Sequence, residues 1–133
     1  MTPRGIRNHN PGNIRHGAKW QGLSEQQTDR SFCQFTDPVW GLRALFKLLL
    51  NYQKLHGLCS IRVVINRYAP PIENHTENYI QAVANSLNVS PDDCLTLEDK
   101  AVLFEISKAI IKVENSNQQP YSQQQFEKAY SLL

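Results

Sequence analysis

The familiar catalytic signatures are missing from this 133-residue chain. It has no GxxxxGK[ST] phosphate loop, no GxSxG and no HExxH, so phosphoryl transfer, α/β-hydrolase chemistry and zincin-type hydrolysis lack their usual residues. The four histidines, His9, His16, His56 and His75, show no metal-ligand spacing, and neither a metal nor any other cofactor is expected. Cysteine is scarce: Cys33, Cys59 and Cys94 stand far apart with no CxxC pair. An odd number without a pattern argues against a disulfide framework and predicts free, buried or half-buried thiols in a chain made in a reducing cytosol, with one disulfide formed later in an oxidising compartment as the alternative. No apolar h-region follows Met1, and the longest apolar run, LFKLLL from Leu45 to Leu50, is interrupted by Lys47 and too short to span a bilayer. Neither a secretory signal nor membrane insertion is therefore expected. Strong charge is lacking as well. The net charge is +2 with scattered Lys and Arg, which predicts no nucleic-acid partner.

What remains is a chain of ordinary globular composition, 41% hydrophobic and 20% charged, long enough to bury roughly two-thirds of its unfolded surface in one domain. Residues 4 to 36 are rich in Asn, Gly and basic side chains and read as turns and short strands, with Trp20 to Gly22 and Ser31 to Phe35 forming a hairpin or small irregular sheet. From Asp37 the pattern turns helical. Asp37 suits an N-cap and Pro38 the N1 position, and Val39, Leu42, Leu45, Phe46, Leu49 and Tyr52 recur at helical spacing up to a stop at Gly57. Ser60 caps a second helix from Ile61 to about Tyr68, ended by Pro70 and Pro71; a third runs from about Thr76 to Leu87. Thr96 to Asp99 resembles a capping box opening a fourth, from Leu97 to about Val113, and Ser122 caps a short last one. The expected fold is mainly α, formally α+β, with about five helices and a small β-hairpin lobe near the N-terminus.

Two carboxyl groups differ from the rest. Glu114 ends the apolar helix KAIIKVE, where the negative end of the helix dipole and the apolar stripe both disfavour an anion and raise the pKa, as a general acid requires. Glu73 sits before a helix N-terminus, in YAPPIENHT, where the anion is favoured. Opposite electrostatic biases on two carboxyls suit a glycosidase, provided the two meet in space. Asp29 is a third candidate, and Trp20, Tyr68 and Tyr79 are candidate sugar-stacking faces.

The stretches RGIRNHNPGNIR, W-x-G, F-x-x-F-T-D-P-x-x-G-L-R-A, YAPPIENHTENYI and AIIKVEN resemble a family of phage virion-associated proteins and secreted bacterial effectors, over nearly the whole chain. Usual forms in that family are RGIRNNNPGNIR, WAPPxENDTxxYI and ENG; this chain departs at Tyr68, His75 and Ser116. Members are described as phage structural proteins or as peptidoglycan hydrolases with a lysozyme-like fold. The order of motifs also resembles the wider lysozyme and transglycosylase group, except that the helix-Glu segment, Ala109 to Asn115, comes last. The resemblance implies a circularly permuted lysozyme-like domain.

In that reading the chain cleaves the β-1,4 glycan strands of peptidoglycan as a bacteriolytic muramidase. Lytic transglycosylase or glucosaminidase chemistry is the nearest alternative, and a non-catalytic virion or cell-wall-binding module the more distant one. Glu114 would be the general acid; Glu73, or else Asp29, would stabilise the oxocarbenium charge or activate water. Asn10 and Asn13 would hold N-acetyl groups, with Trp20, Tyr68, Asn74 and Tyr79 completing the substrate groove. The implied partners are glycan strands, together with an immunity protein or a virion or secretion-apparatus neighbour of a monomer. The implied place of action is the periplasm or cell wall, reached by a secretion system, lysis or phage delivery.

Overall fold

Helix capping positions most of the chain. The computed structural model describes residues 2–69 and 75–133. Its helices are α1 (Arg4–Arg7), α2 (Pro38–His56), α3 (Ile61–Tyr68), α4 (Thr76–Leu87), α5 (Lys100–Glu114) and α6 (Gln123–Ser131). Asp37 accepts the Val39 N–H at 2.9 Å ahead of Pro38, and Gly57 closes α2 in the left-handed conformation (φ 64°). Ser60 caps α3, and Ser122 and Gln125 form a reciprocal capping box on α6. Helix α5 begins three residues later than the sequence suggests. Asp99 is itself the cap, accepting from Ala101 and Val102, whereas Leu97 is fully buried with its N–H on Gln53 Oε1 at 2.7 Å.

Helix α2 lies at the centre, against α5 and α6, while α4 packs on both α3 and α5. Leu42, Leu45, Phe46 and Leu49 are completely buried, each contributing about 1.5–3 kcal/mol of burial. Phe46 stacks on Phe104 with centroids 5.4 Å apart, and Phe126 packs against both rings. Among the described residues no helix is long and apolar enough to cross a membrane.

The N-terminal lobe corrects two expectations. Arg4–Arg7 forms one helical turn rather than a run of turns. The expected hairpin is not seen: the lobe has only the isolated bridges Arg15–Phe32 and Leu23–Phe35. Side-chain amides take the places of ladder bonds. Asn10 donates to the carbonyls of Ile14 and Cys33 at 2.9 Å each and accepts the Ile14 N–H; the Gln27 side chain donates to the Gln34 carbonyl and accepts the Gln34 N–H, and the Gln34 side chain accepts the Thr28 N–H. Beneath them Ile14, Cys33, Phe35 and Ala44 form a second small core with Trp20, Leu23 and Trp40 against it.

The cysteines supply a third correction. Cys33 is free and buried, but Cys59 and Cys94 form a disulfide across 35 residues of sequence. Their pairing follows from tertiary placement: the Leu95 N–H donates to the Cys59 carbonyl at 2.7 Å, and Ser60 bridges Cys94. The bond ties the start of α3 to the segment after α4. Closing a loop of this length is worth roughly 3–4 kcal/mol in the chain-entropy account. Replacing both cysteines by serine should therefore lower the melting temperature by roughly 10 °C. Differential scanning calorimetry with and without reductant checks this, and a shift below about 2 °C would show that the bond constrains little.

Candidate functional site

The last turn of α5 meets the N-terminal loop. Asn115, fully buried, donates its amide to Pro11 O at 2.7 Å and to Ile111 O at 2.9 Å. Asn13, held in a left-handed conformation (φ 50°) that Asn tolerates, donates its amide to Glu114 Oε1 at 3.0 Å and to the Glu114 carbonyl at 3.2 Å. Tyr79, from the first turn of α4, donates its hydroxyl to Glu114 Oε2 at 2.9 Å. The carboxyl thus receives one neutral donor on each oxygen.

The close fit depends on two glycines. A Cβ on Gly5 would lie 2.5 Å from Asn115 Oδ1 and 2.9 Å from Asn13 Oδ1, the two amide oxygens that lack a donor in the structure. A Cβ on Gly12 would collide with the Tyr68 hydroxyl, which donates to the Gly12 carbonyl.

Above this junction opens a cleft of about 330 Å³, walled by loop residues 13–18, Trp20 and Phe32 on one side and by Leu48, Tyr52, Tyr68 and Ala69 on the other. Glu114 lies in it, and lies also in a neighbouring depression of about 310 Å³ formed by His75, Asn78, Tyr79, Ala82 and Val113. Among the described residues it is the one common to both. Burial raises the Glu114 pKa above the ordinary carboxylate value, opposed by the Asn13 and Tyr79 hydrogen bonds and by the charge of Arg15. Burial, with the Glu114 charge next, raises Tyr68 and Tyr79 well above their ordinary values, so both stay neutral donors. Among the described residues no group of His, Cys, Asp and Glu is arranged to hold a metal ion.

The chain is 40% identical over 131 residues to Protein P5 of Pseudoalteromonas phage PM2, a match covering 96% of this chain and 79% of the relative. It belongs to the Protein P5 family. No protein-family model matches the chain.

In this P5-family member the residues singled out from sequence separate into three groups. Glu114, Asn13, Trp20 and Tyr68 are brought together around the cleft. Asn10, Tyr79 and Asp29 are spent otherwise. Asn10 has no exposed surface and satisfies loop carbonyls, so it does not contact a ligand. Tyr79 is 6% exposed and holds Glu114 by its hydroxyl instead of offering a sugar-stacking face. Asp29 accepts from Ser31 N, Phe32 N and Asn8, with Arg4 at 3.6 Å, and is not among the residues lining the cleft; the Ser31 N–H first, then those of Phe32 and Asn8 and the charge of Arg4, hold its pKa down at about 2. Glu73 and Asn74 lie outside the described residues.

The sequence reading missed Asn115 as an anchor and Arg15 and Tyr52 as cleft residues. A polar residue directly after an apolar helix was the available signal for Asn115, but it is indistinguishable from an ordinary helix stop.

Two outcomes follow. Asn115→Ala leaves the buried Pro11 carbonyl without its donor and should cost about 1–3 kcal/mol in urea denaturation; a loss below about 0.5 kcal/mol would mean that the anchor is dispensable. The raised Glu114 carboxyl weakens the fold as pH climbs from the unfolded-state value, near 4.3, through the higher folded-state value. That cost is absent below about pH 4 and complete above the folded-state value. Glu114→Gln removes it, so the variant should gain in melting temperature relative to the parent between pH 4 and pH 7. A difference independent of pH would contradict the raised carboxyl.

Proposed function

We propose that the chain is a peptidoglycan glycan-strand hydrolase, a circularly permuted lysozyme-like muramidase in which Glu114 is the general acid. One observation carries the reading: a carboxyl with a raised pKa, gripped by two neutral donors, lies where two depressions meet. A polymer laid through both would place a glycosidic oxygen over Glu114. The permutation is supported by the bonds from Asn13 to Glu114 and from Asn115 to Pro11, which put the loop of the N-terminal motif directly beyond the helix-Glu segment.

A protonated Glu114 would give its proton to the leaving oxygen. Asn13 and Tyr79 would then stabilise the resulting carboxylate in place, which limits how far the pKa can rise before donation. Glu73 is the second carboxyl in this proposal. Where substrate groups assist, one acid suffices, and transglycosylase or glucosaminidase chemistry on the same strand follows from the same arrangement.

Purified sacculi test the reading. The parent should clear their turbidity, and Glu114→Gln should slow release of soluble saccharides by about 10²–10⁴-fold, the usual contribution of a positioned general acid. Mass spectrometry of the products separates reducing N-acetylmuramic ends, anhydro ends and reducing N-acetylglucosamine ends. A parent that releases nothing, or a Glu114→Gln variant that matches it, defeats the enzymatic proposal in favour of a non-catalytic wall-binding role.

A further inference from the structure

We propose that Tyr52 is a substrate-binding residue of the cleft, its hydroxyl donating to a neutral oxygen of the sugar that lies against the α2 wall. The proposal rests on the glycan-strand reading and adds to it a contact from outside the sequence motifs that led there.

Helix α2 brings Leu45, Leu48 and Tyr52 onto one face, since residues three and four apart are neighbours on a helix. Leu45 packs beneath Gly12, where an added Cβ would lie 3.1 Å from its Cδ1, and Leu48 and Tyr52 go on to line the cleft. The Tyr52 ring belongs to the main core, and the residue is only 8% exposed. Arg67 covers the ring, its guanidinium carbon 5.9 Å from the centroid. What α2 presents to the cleft at this position is therefore the polar end of a buried side chain.

The other phenols near the acid are committed. Tyr79 donates to Glu114 Oε2 and Tyr68 to the Gly12 carbonyl. A charge on Tyr52 would reach both of them, and that of Glu114 reaches both as well, so the three phenols and the acid are neighbours. Yet the Tyr52 hydroxyl has no hydrogen-bond partner among the described residues, although a tyrosine buried to this extent usually finds one. The indole N–H of Trp20 also lacks an acceptor but is enclosed, whereas the Tyr52 hydroxyl opens on the cleft. Burial raises the Tyr52 pKa, opposed by the charge of Arg67, so the group stays a neutral donor.

A strand filling the cleft covers this hydroxyl. Covering it without an acceptor forfeits its solvation with no bond in return, so a ligand that presents an oxygen there is favoured over one that does not. Sugar hydroxyls and acetamido carbonyls are such oxygens. Phenylalanine at position 52 would fill the core equally well and lose only the bond to the ligand.

The experiment uses the full chain carrying Glu114→Gln, so that binding is read without turnover, and soluble peptidoglycan glycan strands as the probe. Adding Tyr52→Phe should weaken binding about tenfold. The melting temperature should move by less than about 2 °C, because no hydrogen bond within the protein is lost. Tyrosine isotopically labelled at Cζ reads the hydroxyl by NMR with Tyr52 intact, and its Tyr52 signal should move when strands are added. Unchanged affinity in Tyr52→Phe, or a Tyr52 signal that stays in place while strands bind, overturns the inference and leaves the glycan reading standing. A fall in melting temperature beyond about 2 °C gives the hydroxyl a structural role and also overturns it. No binding of strands to the Glu114→Gln chain defeats both readings.

Discussion

Everything at the cleft depends on one buried amide. Asn115 follows the last residue of α5 and spends both hydrogens of its side chain, one on the helix carbonyl of Ile111 and one on Pro11, 104 residues away. A buried peptide carbonyl left without a donor is costly, so this bond holds the N-terminal loop in one position instead of a range. Glycine at position 5 lets the two Asn side chains close around the backbone, and Asn13 then reaches Glu114. The geometry of the acid is a consequence of where the loop is pinned.

The same economy of side-chain amides shapes the rest of the N-terminal lobe. Its bridges are isolated, and Asn10, Gln27 and Gln34 satisfy backbone groups that a ladder would otherwise pair, with Asn8 linking the side chains of Asp29 and Gln34. A wall built in this way is irregular, which allows it to curve around a cleft, and it is held from below by the small core of Ile14, Cys33, Phe35 and Ala44. The opposite wall is regular, the second half of α2 and the end of α3, and meets the loop through the Tyr68 hydroxyl on Gly12. The Cys59–Cys94 disulfide lies at the other end of α3, so α3 is tied at its start by a covalent bond and at its finish by a hydrogen bond.

Local chemistry was legible where it acts locally. Asp37-Pro38, Gly57, Ser60 and Ser122 marked helix ends because capping involves residues within one turn. The apolar spacing of α2 marked most of its buried face for the same reason. The hairpin expectation failed because alternation says nothing about side-chain amides competing for the backbone. The sequence favoured free thiols and held one disulfide only as the alternative, because pairing depends on which segments fold together, not on the spacing of the cysteines.

From sequence alone the five longer helices, the apolar core around α2 and Glu114 as an unusual carboxyl were legible, since each rests on neighbours in the chain or on residue type. Tertiary structure alone decided that Asn13 lies on that carboxyl while Asn10 does not, although both belong to one motif. It also made Tyr79 a holder of the acid instead of a sugar platform, and set Asp29 in its own loop away from the cleft. The physical reason is that a polar side chain satisfies whichever partner the packed backbone brings within 3 Å or so, and at this site most of those partners come from the far end of the chain.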